Sequence, residues 1–151
     1  GILFYDISTL LLDKRAFHSS INLLSKCVTE LEFDLVAGID ARGFIFASSL
    51  AFKLEKGLVM LRKKNKLPGK KLSLDYDLEY GKDTIEINVN VKGKKVLLVD
   101  DLLATGGTAK ASVELLKDSG SEVVSFLCLI ELTFLNAKEN LQIPFKSLIR
   151  Y

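Results

Sequence analysis

Two acids, Asp100 and Asp101, follow the apolar run Val96, Leu97, Leu98, Val99, and the stretch that holds them, VLLVDDLLATGGT, ends in Ala104, Thr105, Gly106, Gly107 and Thr108. Adjacent carboxylates repel each other and are costly to take out of water unless something bonds to them. The vicinal hydroxyls of a ribose can do that, and so can a Mg2+ shell. The glycine pair lets the backbone turn tightly and approach a ligand. The amides after it are the unpaired donors of a helix N-terminus, where the dipole favours an anion, and Thr105 and Thr108 add hydroxyls. Acids for sugar hydroxyls, with a monophosphate cradle just beyond them, describe a ribose 5-phosphate site. No Lys follows the glycines, so the loop is not a Walker A motif, and its spacing is not G-x-G-x-x-G. The plainer readings are an ordinary strand–turn–helix with a glycine-rich turn, and two acids facing solvent.

The elements that must position these residues can be read from periodicity. Asp13 is suited to cap a helix, and Phe17, Ile21, Leu24, Val28 and Leu31 recur at steps of four and three, which predicts a helix to about Glu32. DLVAGI (residues 34–39) reads as a strand, GFIFASSLAFKLEK as a mostly buried helix, and GLVMLR (residues 57–62) as a second strand. Residues 63–83, KKNKLPGKKLSLDYDLEYGKD, show little periodicity, and a segment of that kind is expected to be a functional flap or a disordered insertion. TIEINV (residues 84–89) alternates like an edge strand. KKVLLVD reads as a central strand ending at the two acids. A helix is expected over residues 107–119, with Gly120 at its C-terminal cap. EVVSFLCLIEL, a short helix near residues 135–140 and a last strand, FKSLIR, complete the chain. Strands alternating with helices predict an α/β fold with a mainly parallel central sheet flanked by helices and a flexible flap, with ligands beyond the carboxyl ends of the strands.

Bulk properties narrow the classes. The 151 residues suit one domain, with 48% apolar and 26% charged residues and a net charge of only +2, so the totals carry no nucleic-acid footprint. The most apolar stretch, FIFASSLAF, is too short to span a membrane, and the chain shows no signal-peptide pattern. Cys27 and Cys128 form neither a metal nor a disulfide spacing and read as free thiols in a reducing compartment. The single histidine, His18, lacks a partner nucleophile and is not expected to be catalytic.

VLLVDDLLATGGT resembles the phosphoribosyl-diphosphate motif of type I phosphoribosyltransferases. GILFYDIS, LVAGIDARGFIF, LRKKNKLPGKKLS, YDLEYGKDTIEI and the late ELT resemble, in collinear order, segments of the adenine phosphoribosyltransferase family. The resemblance implies a single phosphoribosyltransferase domain over residues 1–151, with the flap at about residues 63–83. It implies a cytoplasmic enzyme of purine salvage that converts adenine and 5-phospho-α-D-ribose 1-diphosphate to AMP and diphosphate. Mg2+ would be held through substrate and water, with no direct metal ligand assigned. Asp100 and Asp101 would hold the ribose. Ala104, Thr105, Gly106, Gly107 and Thr108 would hold the 5′-phosphate, and Asp40, Ala41 and Arg42 would form the diphosphate loop. Lys63, Lys66, Tyr80 and Lys82 would line the flap side, and Arg62 would reach diphosphate in the neighbouring subunit of a homodimer. Phe4 would stack on the base, the Leu3 backbone would bond to its edge, and Glu79 would lie near the purine imidazole. Glu79, Arg42 and Tyr80 are the catalytic candidates. Neither nucleic acid nor membrane is implied as a partner.

An oxocarbenium-like transition state needs cations at the leaving diphosphate and a closed flap against water. It needs no strong protein nucleophile. Two departures stand out: Tyr5 occupies the place of a family arginine, and an amino-terminal hood segment that the family carries is expected to be absent before Gly1, which would weaken activity. The competing readings are a phosphoribosyltransferase of another nucleobase, a non-catalytic regulator that binds the diphosphate sugar, and a bare structural domain.

Overall fold

The computed structural model describes residues 6–151, so the base contacts assigned to Leu3, Phe4 and Tyr5 lie outside the described residues. The element order is α1 (Ser8–Leu12), α2 (Lys14–Lys26), β1 (Leu35–Ile39), α3 (Gly43–Leu54), β2 (Gly57–Lys63), β3 (Leu72–Leu78), β4 (Gly81–Ile87), β5 (Lys95–Leu103), α4 (Gly107–Asp118), β6 (Glu122–Glu131) and β7 (Phe145–Arg150). The strands form one seven-stranded sheet in the order β3-β4-β2-β1-β5-β6-β7. From β2 to β7 neighbouring strands run parallel, and β4 and β3 extend the sheet antiparallel.

The central strands are apolar throughout because both of their faces are covered. On one face Leu24 of α2 and Phe46 and Leu50 of α3 pack with Leu97, Val99, Leu127 and Leu129. On the other, Leu115 and Leu116 of α4 pack with Val96, Leu98, Phe126 and Cys128. The chain thus leaves β1 toward one face and edge, and leaves β5 toward the other. The carboxyl ends of these adjacent strands open the crevice where doubly wound sheets bind ligands.

Several boundaries differ from expectation. Asp13 does cap α2, its Oδ1 accepting from the Arg15 and Ala16 amides at 2.9 and 3.1 Å, but the helix stops at Lys26 rather than near Glu32. Its later apolar positions, Val28 and Leu31, are carried on turns instead. Helix α3 is less enclosed than its composition suggests, since Phe52 is 90% exposed. Residues 63–83 are neither structureless nor separate. Most of the stretch is built into the β3–β4 hairpin, paired from Leu72↔Ile87 to Leu78↔Gly81, with Leu74 and Tyr76 packed against the core. Strand β4 is consequently interior, between β3 and β2, and spans Gly81–Ile87 rather than residues 84–89. The expected short helix near residues 135–140 is two 3-10 turns, Thr133–Leu135 and Ala137–Glu139. No helix among the described residues is long and apolar enough to cross a membrane.

Candidate active site

Strand β5 does not end at the paired acids but continues through them to Leu103. Successive strand residues point to opposite faces, so the two carboxylates take different partners although they remain close enough for the charge of one to act on the other. Asp101 accepts a charge-assisted contact from Arg42, whose Nε and Nη2 both meet its Oδ2. Asp100 instead lines a cavity of about 100 Å3 with residues 102–109, a space of the size of a phosphate group. Its Oδ1 accepts the Asp101 amide at 2.8 Å. A side chain on Gly43 would have its Cβ 2.8 Å from that same oxygen, so only glycine lets α3 begin so close to β5. Burial, then the neighbouring negative charge of Asp101, push the Asp100 carboxyl well above its usual value. Cys128 pairs beside Asp100 on β6, and burial followed by the charge of Asp100 likewise pushes its thiol up, which keeps it inert.

The glycine-rich turn leads into α4 as expected. Gly106 is the N-cap residue at φ +89°, a left-handed conformation that a β-branched residue would strain to adopt. The Gly107 amide reaches Thr105 Oγ1 at 3.5 Å, and the first regular bond of the turn is Lys110 N–H to the Gly106 carbonyl at 2.8 Å. The amides of Gly106, Thr108 and Ala109 have no acceptor among the described residues. They are the donors an anion would take up.

A second cluster forms around Asp40, at the carboxyl end of β1. Its buried carboxylate accepts the Lys63 amide at 3.2 Å and Lys66 Nζ at 3.2 Å, and Arg62 Nε stands 3.4 Å away. Burial opposes the charged form, but the Lys63 and Lys66 hydrogen bonds and the charges of Lys66 and Arg62 outweigh it and hold the carboxyl below its usual value. The Arg62 guanidinium also lies over the Phe44 ring, 5.8 Å from its centroid. Asp40 thus anchors cations, while Ala41 follows it across a cis peptide bond and leads to Arg42.

Lys63 points the other way, into the hairpin. Its Nζ donates to Asp83 Oδ2 at 2.6 Å and to the Tyr76 hydroxyl at 2.8 Å, which ties β2 to β3 and β4. Burial of Lys63 is outweighed by these bonds, and its pKa is raised. The remaining flap candidates stand apart from both clusters. Glu79 and Tyr80 form the exposed hairpin tip, and Lys82 pairs opposite Asp77 next to it. The hairpin nevertheless approaches the glycine-rich loop, for the Asp77 carbonyl is 3.9 Å from where a Cβ on Gly107 would lie. Sequence reading missed Gly43, Tyr76 and Asp83, whose roles arise from strands brought together across the sheet. His18 lies on α2 in a groove with Phe52 and Lys53 of α3, outside this constellation.

The site thus brings together a buried acid, a small cavity at a glycine-rich helix start and an arginine from the next strand end. The phosphoribosyl transferase domain matches residues 8–142. The adenine phosphoribosyltransferase of Acidiphilium cryptum is 50% identical over all of this chain and 90% of its own length. That of Caldicellulosiruptor saccharolyticus is 49% identical over 94% of this chain and 82% of its own. The crystal structure of adenine phosphoribosyltransferase from Thermoanaerobacter pseudethanolicus superposes with a TM-score of 0.97 at 45% identity, covering 100% of this chain and 90% of that one. The Saccharomyces cerevisiae enzyme, complexed with an imino-altritol bisphosphate and adenine, superposes at 0.90 with 35% identity, over 98% and 88%. The chain belongs to the phosphoribosyltransferase family, and within it to the adenine phosphoribosyltransferases.

Proposed function

We propose that the protein joins adenine to the ribose of 5-phospho-α-D-ribose 1-diphosphate, giving AMP and diphosphate, as an enzyme of purine salvage. The observation that carries this reading is the meeting, at the carboxyl ends of β1 and β5, of the Arg42–Asp101 pair with the small cavity shared by Asp100 and residues 102–109. The relatives, all adenine phosphoribosyltransferases by name, support the choice of base.

In this reading Ala104 to Thr108 hold the 5′-phosphate, through the unpaired amides of Gly106 and Thr108, the Gly107 amide once it leaves Thr105, and the hydroxyls of Thr105 and Thr108. Asp100 and Asp101 take the ribose hydroxyls. Arg42 leaves Asp101 for the diphosphate, where positive charge lowers the barrier to leaving-group departure. Lys63, Lys66 and Lys82 add charge on the flap side. Glu79 and Tyr80, at the hairpin tip, descend over the reacting sugar and exclude water. Mg2+ fits this arrangement as an ion carried by substrate and water. Asp100 and Asp101, two adjacent carboxylates at the crevice, are hard oxygen donors of the kind that would hold its water shell. When bound, the ion would neutralise leaving-group charge. The reading extends to a cytoplasmic homodimer in which Arg62 serves the partner's site. Sedimentation showing a fully active monomer near 16.7 kDa would contradict the dimer.

The test is direct. The protein is incubated with Mg2+, phosphoribosyl diphosphate and, in turn, adenine, guanine, hypoxanthine and orotate. AMP should form fastest. A different nucleotide in excess, or binding without turnover, would replace this reading.

A further inference from the structure

The phosphate loop rests on a segment that neither the diphosphate motif nor the site residues include. The Asn140 side-chain amide donates to the Thr105 carbonyl at 2.7 Å. Beside it, a Cβ on Gly106 would come within 3.3 Å of both Ala137 Cβ and the Ala137 carbonyl oxygen, and within 3.4 Å of Asn140 Cβ. The back of the loop is therefore seated on residues 137–140. That seat is itself stiff. Ala137 is 2% exposed and belongs to the core. Its carbonyl accepts the Asn140 and Leu141 amides, both at 2.9 Å, and Asn136 Nδ2 donates to Glu139 Oε1 at 2.7 Å.

We propose that Asn140 is a positioning residue of the phosphate loop, which by holding the Thr105 carbonyl aims the Gly106 amide into the anion cradle. This rests on the phosphoribosyl reading of the site. The argument is one of peptide geometry. The Thr105–Gly106 peptide is trans, since the one cis bond among the described residues is Asp40–Ala41. In a planar trans peptide the C=O and the following N–H point in opposite directions. Asn140 and Ala137 do not line the cavity, whereas Thr105, Gly106 and Gly107 do. A carbonyl fixed toward Asn140 therefore turns the Gly106 N–H inward. Without that bond the peptide plane is free to rotate, because a glycine at φ +89° tolerates many conformations. Preorganised donors bind an anion better than donors that must first be ordered.

The test uses the whole chain. Asn140→Leu keeps the shape of the side chain and removes the donor. It should weaken AMP binding and raise KM for phosphoribosyl diphosphate by roughly fivefold, the worth of one hydrogen bond. The affinity for adenosine, which lacks the phosphate, should stay unchanged, as should the melting temperature within a few degrees. A folded variant with wild-type AMP affinity would overturn the proposal, and so would equal losses for AMP and adenosine. If Asn140→Leu does not fold, Asn140→Ala is read in the same way. In the wild type, the Gly106 amide resonance should move on titration with inorganic phosphate, and a stationary resonance alongside moving Gly107 and Thr108 resonances would also overturn it. Wild-type AMP binding with an indifferent variant sinks this proposal alone. A wild type that binds no AMP sinks the phosphoribosyl reading with it.

Discussion

Arg42, on the loop after β1, and Asp101, inside β5, lie 59 residues apart in sequence, and two nitrogens of the guanidinium converge on one oxygen of the carboxylate. The pair holds together two strand ends that would otherwise present unlike charges to solvent across the crevice. On the proposed function, a diphosphate sugar entering the crevice would exchange partners with both residues, its anion taking the arginine and its hydroxyls the acid.

Asp101→Asn should therefore weaken binding of phosphoribosyl diphosphate roughly tenfold to a hundredfold, in line with loss of a hydrogen bond to a charged group. The fold should persist, because the amide keeps the side-chain shape. Calorimetric titration measures it, and unchanged affinity would remove Asp101 from the sugar site. Arg42→Lys should lose affinity as well, because an ammonium does not reproduce the two-nitrogen contact.

Asp100 makes a separate prediction, about stability. Its carboxyl is raised in the folded protein by burial and by Asp101. A raised acid favours folding when protonated, so its contribution is fully present below the unfolded value of about 3.8 and is lost as pH rises through the folded value. At pH 7 the acid is ionised in the unfolded chain, so folding must either bury that charge or take up a proton, and both are a cost to the native state. Asp100→Asn should be the more stable protein there, by about 1 kcal/mol, while losing sugar affinity. The advantage should shrink as pH falls from the raised folded value, where the native wild-type acid takes up its proton, and be gone below the unfolded value of about 3.8. Denaturant unfolding across pH reads this directly, and a variant less stable than wild type at pH 7 would contradict it.

Gly106→Val should abolish AMP binding, but not because a side chain enters the phosphate space. The Cβ would point away from the cavity, against Ala137 and Asn140, and φ +89° is unfavourable for a β-branched residue. The expected cost is about 1–3 kcal/mol of stability, and the loop must shift to relieve it. Gly106→Ala should show the same losses in smaller measure. Wild-type AMP binding by a folded Gly106→Val protein would mean the cradle lies elsewhere.

The hairpin calls for a finer expectation than a mobile stretch over residues 63–83. Lys63 is held by Asp83 and Tyr76, and residues from Leu72 to Leu78 are paired with β4. Trypsin should cut first at Lys70 or Lys71, before β3 begins, and next at the exposed Lys82 near the tip. Phosphoribosyl diphosphate with Mg2+ should slow both cuts. Glu79→Gln should lower kcat more than it changes KM for the sugar, because its work belongs to the transition state. Cutting indifferent to ligand, together with normal turnover of the variant, would mean the hairpin is no lid.

What the sequence by itself determined is local. Asp13 as a helix cap, the run from apolar strand to glycine turn to α4, and the final strand FKSLIR all depend on neighbours a few positions apart, and each is found where composition and periodicity place it. The glycine turn with unpaired donors at a helix start is legible for the same reason, since a glycine pair and two threonines there carry their donors with them. Tertiary structure decided the rest. The β3–β4 hairpin looked irregular because its strands carry charges where they face solvent, and only pairing with β2 showed them to be part of the sheet. The continuation of β5 past Asp100 depends on β6 lying alongside to take its hydrogen bonds. Which acid meets Arg42, and which turns toward the glycine-rich loop, follows from the alternation of a strand whose register is set by its neighbours. Asn140 reaches Thr105 across 35 residues, and no spacing in the chain announces it, because the turns that bring it there are fixed by the burial of Ala137.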